Sequence, residues 1–534
     1  MLDSYDIIVI GGGSAGCALA MRLSEDRSRS VLLLEAGRSD KHLFSRIPAA
    51  SPLAIGSPDF NWMYQIEADP SRNNKVDMWP AGRCLGGGSA INGMMFIRSH
   101  PYDFQHWLDL GNTGWGFDDV LPYFKRMENN ERGEDTYRGR HGPQAVSEVR
   151  CPVSITDKWI EAAQEAGIPR STDLNGEIPE GLDYCQLSQK NGLRHSTAHA
   201  YIWPELKKRK NLTVQLNAEV QRVICENGRA RAVEYTNEGK TKRVAANAGV
   251  VISAGALASP KLLMLSGYGD GEQLHEHGID VLADLPGVGQ NLQEHPAMNL
   301  EIRVKLPTLS SDQGPFRNIL HGMNFLFRRR GPLTTSIGHA HALVHTRSDL
   351  PAPNIQIILT PFSFQKEGEK ITLSKEPELG FAIGLMRPRS RGQIRLRSAL
   401  PNDKPIIEHQ MFGENEDLKE LLEGFQMARK IIHQECFKPY LVHEKFPGNK
   451  VESSEELETI ARESAFPMYH PVGSCKMGQD EMAVVDHNLK VRQTENLWVA
   501  DTSIMPTLTS GNTNATAIMI GERASALINE QLNK

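Results

Sequence analysis

A histidine near the end of the chain has a setting suited to proton chemistry. His470 is followed by Pro471 and Gly473, which interrupt helices, so we expect it in an irregular loop that fixes its side chain. A neutral imidazole can accept a hydroxyl proton near physiological pH. The sequence has 18 histidines, however, and a lone histidine is most often structural. On spacing alone, His470 is a candidate general base.

Asn512 and Thr513 stand at the start of the last predicted helix. One interpretation is a helix cap, in which either side chain satisfies a free N–H group of the first turn. The other is that the amides here face a bound cofactor. The two interpretations are compatible, since the start of a helix is itself a site for anions and oxyanions. A predicted strand just before this segment ends on Asp501.

The beginning of the chain has the pattern of a dinucleotide-binding unit. An apolar run leads into Gly-Gly-Gly-Ser-Ala-Gly at residues 11–16, a helical pattern follows, and a second apolar run ends on Glu35. Gly11 permits the tight turn, Gly13 lets the backbone approach a pyrophosphate, and Gly16 lets helix and strand pack closely. The helix start attracts phosphate, and Glu35 is placed to accept hydrogen bonds from an adenosine ribose.

A second glycine-rich stretch occupies residues 82–93 and includes three consecutive glycines. Such a stretch permits close approach of a ligand to the backbone. A flexible surface loop is the alternative, but the neighbouring Trp79 and the apolar residues 94–97 favour a buried position. We therefore expect a second contact to the same cofactor, which must be longer than a mononucleotide.

Composition excludes several classes of protein. The net charge of −6 gives no reason to expect a nucleic-acid partner. No apolar stretch reaches the roughly 18 residues of a membrane-spanning helix, and the first apolar run is too short for a secretion signal. The seven cysteines occur singly, without the spacing of a metal site. These features predict a reduced, cytoplasmic protein without a metal or disulfides.

The order of predicted elements indicates an α/β fold, more exactly an α+β composite, with two domains. A Rossmann-like nucleotide-binding domain is assembled from separated segments, and a domain of antiparallel sheet plus helices is inserted over it. The predicted segments are residues 1–155, 196–300 and 467–534 for the nucleotide-binding domain, and residues 156–195 and 301–466 for the substrate-binding domain. A substrate pocket is expected at the domain junction.

The segment from Phe316 to Phe327, followed by three arginines, is amphipathic and basic. It could touch a membrane surface or border the mouth of the pocket. The simpler interpretation is an ordinary helix whose cations suit the negative end of the helix dipole. The sequence leaves both open, and with them peripheral association with a membrane.

These pieces together resemble the glucose–methanol–choline oxidoreductase family over essentially the whole chain, particularly its choline-dehydrogenase-like and alcohol-oxidase branch. The similarity rests on four signatures in the family's order. They are residues 11–16 with Glu35 (the FAD-binding start), residues 82–92 (the first signature), residues 255–269 (the second) and His470 with Asn512 (the active-site pair).

A few positions depart from the family pattern or vary within it. Tyr268 replaces a usual aliphatic residue, and Ser99 a small apolar residue or proline. Ile91 stands where some members carry the histidine that bonds covalently to the flavin, so the resemblance implies non-covalent FAD. Met468 lies near a position that influences oxygen access, which leaves oxidase against dehydrogenase open.

The resemblance also implies the cofactor contacts. Ribose, pyrophosphate, adenine, ribityl and flavin-ring contacts are expected from Gly11, Gly13, Ser14, Ala15, Gly16, Glu35, Ala36, Arg83, Leu85, Gly87, Gly88, Ser89, Asn92, Gly93, Val220, Ala254, Asp501, Asn512 and Thr513. Among these, Glu35 would hold the ribose, Val220 would contact adenine through its backbone, and Asn92 and Gly93 would approach the flavin ring.

The reaction implied is oxidation of a primary alcohol to the aldehyde. His470 would take the hydroxyl proton, Asn512 would orient the oxygen, and the hydride would pass to flavin N5. Electrons would then go to oxygen or a quinone-like acceptor. A cyanohydrin lyase or a light-driven decarboxylase on the same scaffold are alternatives, and the first motif alone would also allow a pyridine-nucleotide dehydrogenase.

The substrate and the assembly stay open at this stage. No carboxylate stands out as a partner for a cationic alcohol such as choline. Aromatic or furanic, aliphatic and vitamin-like alcohols are all possible, and the protein could be a monomer or a homodimer.

Overall fold

The computed structural model describes residues 3–367 and 370–533. The helices are α1 (Ser14–Leu23), α2 (Leu43–Arg46), α3 (Ser51–Ile55), α4 (Pro101–Asp109), α5 (Phe117–Met127), α6 (Ser154–Glu165), α7 (Ser259–Leu265), α8 (Gly271–Glu276), α9 (Pro315–Arg328), α10 (Asn415–Ile432), α11 (Ser454–Ser464) and α12 (Asn514–Leu532). Among the residues so described, no helix is both long and apolar enough to cross a membrane.

The strands of the first half are β1 (Ser4–Ile10), β2 (Val31–Leu34), β3 (Tyr64–Gln65), β4 (Met78–Trp79), β5 (Glu128–Asn130), β6 (Gln144–Val146), β7 (Gly181–Tyr184), β8 (Gln189–Lys190), β9 (Leu193–Arg194), β10 (Leu212–Gln215), β11 (Ala218–Glu226), β12 (Arg229–Asn237) and β13 (Lys240–Ile252). Those of the second half are β14 (Tyr268–Gly269), β15 (Ala283–Asp284), β16 (Pro296–Val304), β17 (Ala340–Val344), β18 (Ile355–Thr360), β19 (Phe364–Glu367), β20 (Lys370–Leu373), β21 (Glu378–Leu385), β22 (Gly392–Arg395), β23 (Ile406–His409), β24 (Leu441–Phe446), β25 (Phe466–Pro467) and β26 (Leu497–Val499).

The first sheet contains the predicted βαβ unit. Its order is β10-β2-β1-β13-β12-β11, and β26 also pairs with β13. The pairs among β10, β2, β1, β13 and β26 are parallel, whereas β11, β12 and the start of β13 form an antiparallel meander. The central strands β1 and β2 are buried along their apolar runs, as expected for parallel strands covered on both faces.

Strand β13 joins two segments that the sequence pattern separates. Residues 242–246 and residues 249–255 predict two strands, but a single strand runs through Ile252. Its first part pairs with β12 up to Ala245, and its later part pairs with β1 from Ala245 onward and with β26. The strand becomes continuously buried from Gly249 because there it lies in the centre of the sheet.

The second sheet has the order β24-β16-β21-β18-β17-β7, with β25 beside β16, and is antiparallel throughout. Residues of one parity, such as Ile357 and Phe381, join a hydrophobic cluster with α6 and α10. Because side chains alternate across a strand, the neighbouring residues His341, Gln356 and Ile358 face the other way. This other face looks toward the first domain.

The mixed α/β class, with a βαβ unit in one sheet and a second, antiparallel sheet, is thereby confirmed. Strand β16 crosses the predicted domain boundary at residue 300, since it begins at Pro296 in the second sheet. The division into two domains by residue number stays a prediction.

Helix α12 is fixed against α1 by a buried carboxylate. Glu522 accepts from Arg22 at 2.8 Å and from the Tyr201 hydroxyl at 2.8 Å, and it lies 2.9 Å from Arg126. Breaking such a buried network costs about 3–5 kcal/mol. The network joins the end of α1 to the middle of α12, and the beginnings of the two helices are joined separately by the hydrogen bond from Ser14 to Asn514.

Candidate active site

In the first glycine segment, the packing of the fold requires glycine at two positions but not at a third. Gly11 has φ +100°, and a Cβ there would lie 2.3 Å from the carbonyl oxygen of Ser253. A Cβ at Gly16 would lie 1.9 Å from the Gly11 oxygen. Gly13 is different, because no heavy atom lies within 4 Å of its Cβ position and its backbone is extended. Gly13 therefore borders open space.

The second glycine segment packs directly on the first. The Gly86 N–H donates to the Gly12 carbonyl at 2.6 Å, and a Cβ at Gly87 would lie 2.7 Å from the Gly13 Cα. The next residue, Gly88, again has nothing within 4 Å of its Cβ position. The two segments that the sequence assigned to one extended cofactor thus form one backbone-lined cradle.

Glu35 lies at the end of β2 with its carboxylate against this cradle. Its oxygens accept from the Gly12 and Gly37 N–H groups, each at 2.8 Å. Burial raises the pKa of this carboxyl group, while the two hydrogen bonds and the charge of Arg83 oppose that effect. A carboxylate has about four lone-pair positions, so acceptor capacity remains for two ribose hydroxyl groups.

The starts of α1 and α12 are both free of side-chain caps and of acidic residues in their first turns. The Ser14 hydroxyl donates to Asn514 at 2.7 Å, which joins the two helix starts. Thr513 is the N-cap residue of α12. N–H groups without a partner at a helix start are suited to phosphate and other anionic groups.

Arg83 lies among the residues that are predicted to contact the adenine end of the cofactor. Its guanidinium forms an ion pair with Glu219 at 3.2 Å and stacks over Trp62, 4.7 Å from the ring centre. Val220 follows Glu219 on β11. Ala36 lies between Glu35 and Gly37 beside the first glycine segment.

Several predicted contact residues use their side chains to build the site. Asp501 accepts from the Gly255 N–H, the Ser259 hydroxyl and the Ser503 N–H at 2.9, 2.6 and 2.7 Å. It thereby fixes the turn that contains Ala254, whose N–H donates to the Ser259 hydroxyl. Gly255 is left bordering open space.

The same holds in the second glycine segment. Ser89 bonds to the Gly86 carbonyl and to Thr197, Leu85 is fully buried, and Asn92 accepts from the Met94 N–H and from Arg194. What this segment exposes to a ligand is its backbone. Gly93, at its end, lies against Ile337.

His470 and Asn512 meet although they belong to different segments. The Asn512 Nδ2 lies 3.2 Å from His470 Nε2. The backbone N–H of His470 donates to Glu294 at 2.7 Å and fixes the loop, and Tyr469 before it has φ +63°. Burial lowers the pKa of His470 to about 4, so its imidazole is neutral at physiological pH.

The proton position on His470 follows from its neighbours. His295 Nε2 lies 3.1 Å from the Met386 carbonyl oxygen, which can only accept, so Nε2 of His295 carries the proton. Burial keeps the pKa of His295 well below its usual value, so the ring is neutral and its Nδ1 is an acceptor. His470 Nδ1 then donates to it at 2.9 Å. The lone pair of His470 is therefore on Nε2, facing Asn512.

Two polar residues of the second sheet complete the arrangement. Gln356 Nε2 lies 3.4 Å from Asn512 Oδ1 and 3.2 Å from His341 Nδ1. Burial lowers the pKa of His341 to about 4, so it too is neutral. The amide of Asn512 is thus held from both sides, with its oxygen toward Gln356 and its nitrogen toward His470.

Sequence reasoning missed four of these residues, namely Glu294, His295, His341 and Gln356. A signal did exist for two of them. His341 and Gln356 are polar residues inside otherwise apolar, buried strands, a placement that costs free energy unless a partner is present. Nothing in the spacing identifies their partner.

An apolar cluster adjoins the segment before His470. Met95, Leu187 and Ile358 form a hydrophobic cluster, against which Met468 packs. A Cβ at Gly384 would lie 2.4 Å from the Met468 sulfur, so glycine makes room for that side chain. Glu294, which accepts the backbone N–H groups of His295 and His470, is fully buried, and burial raises its pKa to about 8.

Comparison with known proteins agrees with this arrangement. Residues 5–297 and 388–521 match the family described as GMC oxidoreductase. Mitochondrial choline dehydrogenase of Mus musculus is 38% identical over 536 residues, covering 98% of this chain and 89% of that protein. An oxygen-dependent choline dehydrogenase of Brucella anthropi is 38% identical over 525 residues, covering 97% and 94%.

A solved structure is also similar over the full length. Pyridoxine 4-oxidase from Mesorbium loti has a TM-score of 0.88 and 30% identity, covering 98% of this chain and 99% of that one. The cradle of glycines, the buried Glu35 and the pair His470–Asn512 are thus features of a chain whose sequence and fold both match one family. The chain belongs to the GMC oxidoreductase family and is an FAD-dependent oxidoreductase that acts on CH–OH donors.

Proposed function

We propose that this enzyme oxidises an uncharged primary alcohol to the aldehyde, with His470 as the general base. The observation that carries the proposal is the chain of hydrogen bonds from the Met386 carbonyl through His295 to His470. It leaves a lone pair on Nε2 of a neutral imidazole, next to the amide of Asn512. Bound FAD supplies the acceptor for the hydride that leaves the substrate α-carbon.

The residues of the chain perform the proton transfer and the positioning. His470 Nε2 takes the hydroxyl proton, and the Asn512 Nδ2–H group donates to the substrate oxygen. As the proton leaves, the α-carbon gives up a hydride with its electron pair, and the carbonyl forms. Proton transfer to a positioned base contributes about 10²–10⁴ in rate. The two electrons pass on to oxygen or to a quinone-like acceptor.

The proposal of an uncharged substrate rests on what surrounds the pair. Met95, Ile358 and Met468 supply apolar contacts. A cationic alcohol such as choline needs a carboxylate or a cage of aromatic rings. Glu294, the buried carboxylate beside His470, is occupied by backbone N–H groups. Although two relatives are choline dehydrogenases, these contacts favour an aromatic, furanic, aliphatic or vitamin-like alcohol.

FAD is held by the cradle in this proposal. Glu35 accepts from the ribose, and the first turn of α1 with Gly13 and Gly88 surrounds the pyrophosphate. Asn92 and Gly93 approach the flavin ring, and the backbone at Thr513 meets its pyrimidine edge. Ile91 has no atom that can bond covalently to flavin, so the cofactor is non-covalent.

The proposed location is the cytoplasm. All seven cysteines have free thiols, and four of them, Cys17, Cys84, Cys185 and Cys475, are buried. Free thiols persist in reducing compartments.

The proposed function is tested by anaerobic flavin reduction over a panel of alcohols. We expect benzylic, furanic or straight-chain alcohols, or pyridoxine, to bleach the bound flavin in the dark, and choline to do so poorly. Admission of air then identifies the acceptor, since rapid return of the yellow colour indicates oxygen and slow return indicates a quinone-like molecule. Choline as the best reductant would refute the substrate class, and a flavin that no alcohol reduces would favour a lyase.

Cofactor binding is tested at a glycine that the fold does not need. Gly13→Val places a side chain where nothing lies within 4 Å, on extended backbone, so the protein should fold but exclude the pyrophosphate. We expect the affinity for FAD to fall by at least about ten-fold. Gly322→Val is the matched control, because its Cβ also meets nothing within 4 Å. Equal FAD content in both variants would contradict the assignment of Gly13.

The base is tested by substitution. His470→Ala should retain FAD, which is held by other residues, and should slow flavin reduction by about 10² or more. Asn512→Ala should have a smaller effect, since a neutral hydrogen bond contributes about 0.5–1.5 kcal/mol, although lost orientation adds to it. Stopped-flow absorbance under anaerobic conditions gives both rates. If the flavin of the His470→Ala variant is reduced at the wild-type rate, another residue must be the base.

The pH dependence tests the neutral state of His470. Only the neutral ring accepts a proton, and burial lowers its pKa to about 4. The reduction rate should therefore stay level down to about pH 5 and fall below it, where an ordinary histidine would already fall near pH 6.5. His295→Leu removes the acceptor for His470 Nδ1. This variant should have a lower rate of flavin reduction in the pH range where the rate is constant, with little change in KM. His295→Asn, which keeps an acceptor, should recover part of the rate. An acid limb near pH 6.5 in the wild type would refute the buried neutral base.

A further inference from the structure

Helix α9 presents its apolar face to the solvent. Six large apolar side chains recur at the spacing of one helix face, and each is between 47% and 75% exposed. They are Phe316, Ile319, Leu320, Met323, Leu326 and Phe327. Soluble proteins turn such a face inward, and a large exposed apolar patch marks an interaction surface.

The opposite face of α9, which is more polar, packs on the protein. Phe325 is the buried apolar residue of the helix. Arg317 and His321 point to the same side of the helix and both contact Asp312. The contacts of this side are therefore the burial of Phe325 and the local contacts with Asp312, just before the helix, whereas the apolar side is exposed.

The helix is also strongly basic. Arg317, Arg328, Arg329 and Arg330 belong to it or follow it, and residues 313–331 contain no acidic residue. Within the described ranges, no ion pair involves Arg328, Arg329 or Arg330, whereas Arg317 pairs with Asp312. A protein with net charge −6 thus concentrates cations beside its exposed apolar patch.

We propose that α9 docks this enzyme on an anionic lipid bilayer, with the apolar side chains between the acyl chains and the arginines at the lipid phosphates. Apolar residues on one face and arginines at the border are the combination that places a helix in the plane of a membrane interface. Each arginine near an anionic surface adds to the attraction.

A second copy of the chain is a less suitable occupant. In a symmetric pair of these faces, each helix would meet the same helix of its partner. Residues 312–331 carry four arginines and a single carboxylate, that of Asp312, which Arg317 and His321 already contact, so the pair would bring together an excess of positive charge. Lipid phosphates provide the missing negative charge.

The segment that follows α9 reaches the proposed active site. After α9 the chain turns at Pro332–Thr334, and the hydroxyl of Ser336 donates to the Gly93 carbonyl. A Cβ at Gly93 would lie 3.6 Å from Ile337, and one at Gly338 would lie 2.3 Å from Met95. The helix is thus joined directly to the residues that line the proposed flavin and substrate positions.

Sedimentation with vesicles tests the proposal on the FAD-containing enzyme. We expect binding to vesicles of equal parts phosphatidylcholine and phosphatidylglycerol, and weak binding to phosphatidylcholine alone. The double variant Phe316→Ser/Phe327→Ser should bind at least about ten-fold less tightly. Arg328→Gln/Arg330→Gln should lose most of the preference for anionic lipid.

A matched control substitutes equally exposed apolar residues elsewhere. Ile178→Ser/Leu400→Ser changes side chains that are 66% and 64% exposed and should leave vesicle binding unchanged. FAD content and activity with a soluble dye acceptor should be the same in all variants, which separates this test from that of the alcohol chemistry. Light scattering without lipid measures the oligomeric state.

Two outcomes would overturn the proposal. One is a wild-type enzyme that binds neither type of vesicle, or that binds equally well when Phe316 and Phe327 are replaced. The other is a wild-type dimer that becomes monomeric in the Phe316→Ser/Phe327→Ser variant without any binding to lipid. That second result would assign the face to another copy of this chain.

Discussion

The chemistry of this site depends on one hydrogen bond that cannot be reversed. A backbone carbonyl accepts and never donates, so the Met386 oxygen fixes the proton on His295 Nε2, and His295 in turn fixes the proton on His470. A free imidazole exchanges between two tautomers, and only one of them would direct a lone pair at Asn512. Met386 follows β21 and His295 precedes β16, neighbouring strands of the second sheet, whereas Asn512 precedes α12 of the first domain. The proposed base therefore depends on contact between the second sheet and the segment before α12.

The glycine cradle proposed to hold the cofactor depends on a steric restriction. The two glycine segments approach so closely that a Cβ at Gly87 would lie 2.7 Å from the Gly13 Cα. Their side chains are absent or used internally, as with Ser89, so the surface left for a ligand consists of backbone N–H groups, open space and the carboxylate of Glu35. Such a surface suits an elongated, phosphate-containing molecule, and it can bind that molecule without depending on flexible side chains.

The sequence predicts local patterns well and distant pairings poorly. The βαβ unit, the position of Glu35 after β2 and the close packing at Gly11 and Gly16 could be predicted because each depends on residues close in the chain. His470 could be identified only as a candidate, since its partners His295 and Asn512 are 175 and 42 residues away. Gln356 reaches Asn512 across 156 residues, on a strand whose facing direction is decided by the sheet it joins. For α9 the pattern gives amphipathicity, but which face is covered depends on packing that no local pattern records.

The exposed helix and the apolar active site bear on the same question, that of where substrate and acceptor come from. Apolar alcohols and quinone-like molecules both concentrate in lipid, so an enzyme docked on a membrane would meet both at a higher effective concentration than in water. Charged choline gains nothing from such a position. The apolar cluster around Met468 and the occupation of Glu294 by backbone N–H groups are therefore in keeping with α9, although they are separate observations. Docking places the lipid contact on residues other than those of the proposed base and the cradle, and the two regions are connected through residues 332–338.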